Sequence, residues 1–261
     1  MDINDLRQSI IDLSPEKRAL LERRLTEMGL LASGEGAIPR RDRSAPCPLS
    51  LAQQRLWFLD QLEHDNSLYN ISRAVRLQGA LQVGALREAL NALVARHEPL
   101  RSTFVLQGEE PVQVVAEQGI VALPVLDLSA VPDGTREAAL ERILRTEARR
   151  PFDLTTDLML RALVVRLGAR DHVFLLTVHH IASDGWSMRI LARELAACYA
   201  AVVQGRPLNL PPLPIQYGDY AVWQRGWLQG DALGTQLSYW KAQLAGAPPT
   251  LALPGRVSFR L

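Results

Sequence analysis

The feature that most constrains the fold is an apolar run that ends in two adjacent histidines and is followed by a helix. Residues 173–178 have the sequence Val-Phe-Leu-Leu-Thr-Val, which is typical of a buried strand. A polar stretch, His179 to Gly185, comes next, and the pattern from Trp186 to about residue 203 predicts a helix. Chemistry in α/β proteins tends to lie at the carboxyl end of a strand, beside a helix N-terminus. We therefore predict an α/β protein with a functional site at residues 179–185.

The rest of the chain combines helical and strand patterns. An apolar run at 159–167 and the turn sequence Gly-Ala-Arg-Asp at 168–171 predict an antiparallel hairpin with the strand that precedes the histidines. Other strands are predicted at 74–77, 101–106, 112–115 and 121–126, and helices at 51–62, 83–97, 137–150, 217–227 and 233–244. The sequence thus predicts a mixed fold with at least one antiparallel strand pair.

The first 48 residues divide into a helical part and a linker. Residues 1–31 contain two amphipathic patterns separated by an N-cap serine and a first-turn proline, which predicts a small helical hairpin. The hairpin is either an appendage of the main domain or a docking element for a partner polypeptide. Residues 32–48 are rich in glycine and proline, which indicates a linker. We interpret its basic cluster, Arg40, Arg41 and Arg43, as solvated linker rather than a binding patch.

Composition limits the classes of partner. The chain has 261 residues with 29 Lys and Arg against 28 Asp and Glu, and this balance gives no reason to predict binding to nucleic acid or an anionic membrane. No apolar run reaches membrane-spanning length and the acidic N-terminus lacks a signal-peptide pattern, so we predict a cytoplasmic protein. Cys47 and Cys198 are far apart and match no metal-site spacing, which predicts two reduced thiols.

The two histidines are expected to have different roles. Neighbouring side chains of a strand point to opposite faces, so His179 and His180 cannot both face one pocket without a local distortion. This geometry, and the lack of further ligand residues nearby in the sequence, argues against a shared metal ion. One histidine would then support the local structure while the other faces a cleft, where an imidazole can act as a general base near neutral pH.

Asp184 and Gly185 form the turn before the helix. The N-terminal end of a helix favours an ionised carboxylate, so Asp184 either pairs with an arginine or caps the helix. Gly185 permits backbone angles or a close approach that a side chain would prevent. Two adjacent histidines alone are weak support for catalysis, but the spacing His-His-x-x-x-Asp-Gly between a strand and a helix is more specific.

Four stretches, in the same order, resemble the motifs of the condensation domains of nonribosomal peptide synthetases. Residues 50–59, Ser-Leu-Ala-Gln-Gln-Arg-Leu-Trp-Phe-Leu, resemble the opening motif of the family. Residues 96–104, Arg-His-Glu-Pro-Leu-Arg-Ser-Thr-Phe, resemble a second one, with Ser102 where threonine is usual. Residues 179–185 match the active-site motif, and Tyr-Gly-Asp-Tyr-Ala-Val-Trp at 217–223 resembles a later motif. The agreement of several ordered motifs identifies the chain as a member of this family.

The resemblance implies a fold and a reaction. The implied fold is an α+β two-layer sandwich, the N-terminal lobe of a fold like that of chloramphenicol acetyltransferase, in which two lobes enclose a channel. In the implied reaction, the amine of an aminoacyl thioester acceptor attacks an aminoacyl or peptidyl thioester donor to form a peptide bond. Both substrates would be presented on the 4'-phosphopantetheine arms of donor and acceptor carrier proteins, and the domain itself would bind no cofactor.

The resemblance also implies roles for residues of the active-site motif. His180 would face the channel and deprotonate or position the acceptor amine. His179 and Gly185 would shape the loop, and Gly185 would also bring backbone N–H groups toward the developing oxyanion.

Asp184 would hold the motif in place through a salt bridge. Arg101 and Arg161 are candidate partners for this salt bridge, and another residue elsewhere in the chain is an equal alternative. Ser187 is a further candidate supporting residue. The sequence Asp-Gly-Trp-Ser-Met at 184–188 also resembles the subtype that joins an L-configured donor to an L-configured acceptor.

The resemblance covers about the first half of the family domain. The lobe would occupy residues 49–254, and residues 255–261 form an atypical tail. We therefore expect a truncated chain, a broken reading frame or an isolated lobe, with little condensing activity alone. Its partners would include the missing C-terminal lobe and, through residues 1–31, an upstream synthetase polypeptide. The alternatives are an inert lobe that only binds a carrier protein or docking partner, an epimerisation domain, and an ester-forming relative.

Overall fold

The computed structural model of the chain describes residues 38–63 and 67–248, together with Leu20. The predicted hairpin at 1–31 and the tail at 255–261 therefore fall outside the described residues, apart from Leu20. The strands and helices, in chain order, are β1 (Cys47–Pro48), α1 (Leu51–Leu62), β2 (Asn70–Gln78), α2 (Val83–Arg96), a 3₁₀ helix (Glu98–Arg101), β3 (Ser102–Gln107), β4 (Glu110–Val115), β5 (Val125–Asp127), α3 (Asp133–Ala148), β6 (Leu160–Gly168), β7 (Asp171–His179), α4 (Gly185–Val203), α5 (Tyr217–Trp227) and α6 (Gly230–Gln243). Each element predicted within the described residues is present, with its ends shifted by a few residues at most.

The larger sheet positions the histidine motif. Its strand order is β2-β7-β6-β5, and β7 pairs antiparallel with both β2 and β6, which confirms the predicted hairpin. The short β5 pairs parallel with β6. In this register Val178 lies opposite both Ile71 and Leu160. Because β7 has a strand on each side and is buried on both faces, its sequence is almost continuously apolar up to His179.

Helices cover both faces of this sheet. On one face α2 and α4 pack against the strands, and Leu90, Val178 and Leu191 belong to one buried cluster there. On the other face Leu140 of α3 packs with strand residues such as Leu175. The predicted α/β class is confirmed. A two-layer sandwich has helices on one face of the sheet only, whereas here α3 also covers part of the second face.

A second sheet, β1-β4-β3, begins within the segment that the sequence assigned to the linker. β3 and β4 form the predicted hairpin, and Gly108, with a φ of +66°, lies in its turn. Cys47 and Pro48 form β1, which pairs with β4. Cys47 and Cys198 are both buried free thiols, as predicted.

The basic cluster before β1 includes a buried arginine. The Arg41 guanidinium contacts the carboxylates of Glu98 at 3.1 Å and Asp219 at 3.3 Å, and less than a tenth of each of these three side chains is exposed. Arg43 also contacts Glu98, at 2.6 Å, but its side chain is 71% exposed. The interpretation of this cluster as solvated is therefore wrong for Arg41, because two buried carboxylates need a cationic partner.

Helix α6 is exposed along its whole length. None of its residues is buried, and Leu237, Tyr239 and Trp240 are 48%, 55% and 55% exposed. Exposed apolar surface of this kind is typical of a contact surface. Among the helices that the structure describes, none is both long enough and apolar enough to cross a membrane.

Candidate functional site

The stretch between β7 and α4 is a tight turn held by backbone hydrogen bonds. His179 is the last residue of β7, and Asp184 is the N-cap of α4. The N–H of His180 donates to the carbonyl of Tyr69 at 2.8 Å, and the N–H of Ala182 donates to the carbonyl of His179 at 3.0 Å. These bonds fix the backbone on both sides of the second histidine.

His179 is the buried histidine of the motif. It is 4% exposed, and its Nδ1 accepts a hydrogen bond from the N–H of Ile181 at 3.2 Å. The rings of Tyr69 and Phe152 pack edge-on against it, with centroid separations of 6.3 Å and 5.7 Å. An acceptor at Nδ1 requires that nitrogen to be unprotonated, so His179 supports the turn as a neutral imidazole.

The buried imidazole makes stability depend on pH. Burial, with smaller contributions from the charges of His180 and Arg161, lowers the pKa of His179 from 6.5 to about 4. Between these two pH values the unfolded chain binds a proton here and the folded chain does not, so the contribution of His179 to stability is lost as the pH falls from about 6.5 toward 4. The loss amounts to about 2–3 kcal/mol at pH 4.5.

Urea unfolding of the unmodified chain and of His179→Asn, at pH 7 and pH 4.5, measures this effect. Asparagine has an oxygen that can accept the Ile181 N–H but no group that titrates in this range. We expect the variant to lose less unfolding free energy between the two pH values than the unmodified chain. An equal loss in both proteins would contradict a buried neutral imidazole.

His180 is the exposed histidine of the motif. It lines a cleft of about 250 Å³ together with Gln53, Tyr69, Asp184 and Tyr217. The two imidazoles differ because β7 is buried on both faces as far as His179, whereas His180 is the first residue beyond the strand. His180 is therefore the motif histidine that can contact a molecule in the cleft.

Asp184 caps helix α4. Its Oδ1 accepts hydrogen bonds from the N–H of Ser187 at 2.7 Å and from the Ser187 hydroxyl at 2.6 Å. These two hydrogen bonds hold the pKa of Asp184 below its ordinary value. A cap of this kind contributes about 1 kcal/mol to stability. Ser187 thus supports the motif by fixing the Asp184 carboxylate.

The predicted salt bridge from Asp184 to Arg101 or Arg161 is wrong. Arg101 donates instead to two backbone carbonyls, at 2.6 Å and 3.3 Å. Arg161 donates to the carbonyls of residues 150 and 151, and its guanidinium lies 3.8 Å from the centroid of the Phe152 ring. Phe152 in turn contacts His179, so Arg161 supports the motif through this ring. Both guanidiniums take acceptors close to them in sequence, and the Asp184 carboxylate is satisfied by its own helix.

Packing among the residues that the structure describes does not explain the glycine at position 185. Its backbone lies outside the left-handed region, and a Cβ there would meet nothing within 4 Å. Gly185 lines a second cavity, of about 730 Å³, between β2 and α4. Its walls are mainly apolar and include Leu176 and Met188. Both cavities reach the first turn of α4, since Asp184 and Ser187 line the smaller one.

Side chains from other elements also hold the motif in place, and the sequence did not predict these contacts. The Ser50 hydroxyl caps α1 as predicted, but it also lies 3.0 Å from the hydroxyl of Tyr217. The side-chain amide of Gln53 donates to the carbonyl of Ile181 at 3.3 Å. The motifs at 50–59 and 217–223 thus meet at the histidine motif. The two motifs were recognisable in the sequence, but the sequence did not show which of their residues contact the histidine motif.

Comparison with known proteins agrees with this architecture. The profile of the family described as Condensation domain matches residues 44–260. Phosphinothricin tripeptide synthetase PhsC of Streptomyces viridochromogenes is 45% identical over 253 residues, which are 97% of this chain and 23% of that protein. The complex of the X-domain and OxyB from teicoplanin biosynthesis matches with a TM-score of 0.75 and 32% identity, covering 87% of this chain and 50% of that chain.

A structure of the starter condensation domain of rhizomide synthetase RzmA matches with a TM-score of 0.70 and 21% identity, covering 78% of this chain and 49% of that chain. At this identity the match shows the fold alone, which is that of condensation domains and resembles chloramphenicol acetyltransferase. The chain spans about half of each solved chain and 23% of the phosphinothricin tripeptide synthetase. Because the family profile covers most of its length, the chain belongs to the condensation-domain family of nonribosomal peptide synthetases.

Proposed function

We propose that the chain supplies the N-terminal lobe of a condensation domain that forms a peptide bond between two carrier-bound thioesters. The observation that carries this proposal is the different placement of the two motif histidines. His179 is buried under the turn, whereas His180 is exposed at the cleft. An imidazole in this position can take a proton from an attacking amine or hold the amine by a hydrogen bond.

In the proposed reaction the acceptor nitrogen attacks the carbonyl carbon of the donor thioester. The carbon–sulfur bond then breaks, and the thiolate leaves on the 4'-phosphopantetheine arm of the donor carrier protein. His180 receives the proton that the nitrogen loses, and the resulting imidazolium can return it to the thiolate. Gly185 leaves room for the donor carbonyl to approach its own backbone N–H at the start of α4, where the helix N-terminus stabilises negative charge.

The cavities indicate where the substrates would lie. We infer that the two cavities at the first turn of α4 are this chain's share of the substrate channel, with the 4'-phosphopantetheine arms of the donor and acceptor carrier proteins as their ligands. The apolar surface of α6 would be covered by the C-terminal lobe of the domain. We keep the prediction that residues 1–31 form a docking element for an upstream synthetase polypeptide.

Carrier proteins loaded with an aminoacyl donor and an aminoacyl acceptor test the proposal. They are incubated with the chain alone and with the chain joined to the second lobe of a related condensation domain, and the dipeptidyl thioester is detected by mass spectrometry. We expect little product from the chain alone and clear product from the completed domain, because the closed channel orients both thioesters and excludes water.

Three outcomes would contradict the proposal. Carrier binding by the completed domain without any product would support a lobe that only binds carrier proteins. Product from a hydroxyacyl acceptor but not from an aminoacyl acceptor would indicate an ester-forming domain. Inversion of the loaded amino acid without peptide formation would indicate an epimerisation domain.

A further inference from the structure

We propose that Gln53 is a positioning residue for His180, because its buried carboxamide fixes the backbone that directs the imidazole into the cleft. The structural part of this inference stands on contacts within the chain. Its kinetic consequence rests on the proposed function.

The His180 imidazole depends on its backbone for its direction. Within the part of the chain that the structure describes, the ring has no hydrogen bond of its own, and it is exposed. The backbone of His180 is held on one side by its N–H bond to Tyr69. On the other side the next residue, Ile181, is held twice, since its N–H donates to His179 and its carbonyl accepts from Gln53. The bond from Gln53 is the one that comes from a separate helix, α1.

The carboxamide of Gln53 has one orientation that satisfies its neighbours. Gln53 is 1% exposed, its Nε2 donates to the Ile181 carbonyl at 3.3 Å, and its Oε1 accepts from the Ser50 N–H at 3.0 Å. Because Ile181 offers an acceptor and Ser50 offers a donor, a flipped amide would lose both bonds. A buried carboxamide with both ends occupied is costly to replace, which fixes the distance between α1 and the turn.

The neighbouring Gln113 provides a matched control. Its Nε2 donates to the Pro48 carbonyl at 2.8 Å and to Oε1 of Gln53 at 3.4 Å, and Gln113 is 4% exposed. It therefore belongs to the same buried polar cluster and binds Gln53, but its hydrogen bonds go to Pro48 and Gln53 rather than to the turn that carries His180. A defect that arises only from loss of buried hydrogen bonds should follow from either glutamine.

The test compares Gln53→Met with Gln113→Met. Methionine at position 53 offers no donor to the Ile181 carbonyl, whereas methionine at position 113 leaves the bonds of Gln53 to Ser50 and Ile181 in place and sets no second oxygen against Oε1 of Gln53. In protein with ¹³C-labelled histidine, we expect the imidazole resonance of His180 to shift or broaden in Gln53→Met and to stay unchanged in Gln113→Met, with His97 and His172 as internal references. In the completed domain we expect Gln53→Met to lower kcat about tenfold with the KM for the loaded carrier proteins unchanged.

An unchanged His180 resonance in Gln53→Met, or an equal change in Gln53→Met and Gln113→Met, would overturn the proposal. If a variant fails to fold, the hydrogen bonds of Gln53 can still be tested on the unmodified chain. The side-chain amide protons of Gln53 should exchange with solvent at least about tenfold more slowly than those of an exposed glutamine, and unprotected exchange would overturn the proposal. Neither resonance measurement needs a substrate, so its outcome is independent of whether the domain forms peptide bonds.

Discussion

Replacing His180 with alanine is expected to lower the rate of dipeptide formation by the completed domain about 10²–10⁴-fold, the usual contribution of a positioned acid–base group. The cause is the loss of the imidazole that receives or holds the proton of the acceptor amine at the cleft. Single-turnover reactions with both carrier proteins preloaded measure the chemical step directly. If the rate of His180→Ala stays within about threefold of the rate of the unmodified domain, His180 takes no part in the reaction.

The same variant should leave the rest of the protein intact. The His180 side chain is exposed, so its removal should change the unfolding free energy by no more than about 0.5 kcal/mol. Binding of the carrier proteins should also be unchanged. Loss of rate together with loss of folding or of carrier binding would mean that His180 has a structural role, in contradiction to its placement at the cleft.

Replacing Glu98 with alanine is expected to lower the unfolding free energy by about 3–5 kcal/mol. Glu98 is buried and accepts from the Arg41 guanidinium at 3.1 Å, and Arg41 also contacts Asp219 at 3.3 Å. Removing Glu98 leaves a buried guanidinium with one carboxylate instead of two. The backbone N–H of Glu98 also donates to the side chain of Gln216, just before α5. The cluster therefore connects the segment before β1, the 3₁₀ helix and the start of α5. Urea unfolding at pH 7 measures the change.

Arg43 is the matched control for this cluster because it contacts the same carboxylate from the surface. Its side chain is 71% exposed, so Arg43→Ala should cost less than about 1 kcal/mol. The double variant Glu98→Ala with Arg41→Ala should lose less stability than the two single variants added together, since it leaves no unpaired arginine. Equal costs for Glu98→Ala and Arg43→Ala would contradict a buried ion-pair cluster.

Local sequence patterns predicted the secondary structure and the different roles of the two histidines. The apolar run before His179 was long and uninterrupted enough to indicate a buried strand. Strand alternation then predicted different roles for His179 and His180, and in the structure they differ because the strand ends between them. Asp184 accepts its hydrogen bonds from Ser187, three residues away, so its capping role was already among the alternatives that the sequence offered. These features depend on neighbours in the chain, which a pattern can show.

Contacts between distant residues were not predictable in this way. Arg41 lies 57 residues from Glu98 and 178 residues from Asp219, and a glycine- and proline-rich segment around it indicated only a linker. Gln53 lies 128 residues from Ile181, and membership of a motif did not reveal its partner. Neither Arg101 nor Arg161 is the partner of Asp184, because each guanidinium binds backbone carbonyls within 15 residues of it in the chain.

The division of labour between the two histidines is tested most directly by their rates of modification with diethyl pyrocarbonate, which acylates accessible neutral imidazoles. Mass spectrometry after short exposure reports each histidine separately. We predict that His180 is modified in the folded chain and that His179, at 4% exposure, is modified only after unfolding in urea. Modification of His179 in the folded chain at the rate of His180, or protection of His180, would contradict the account.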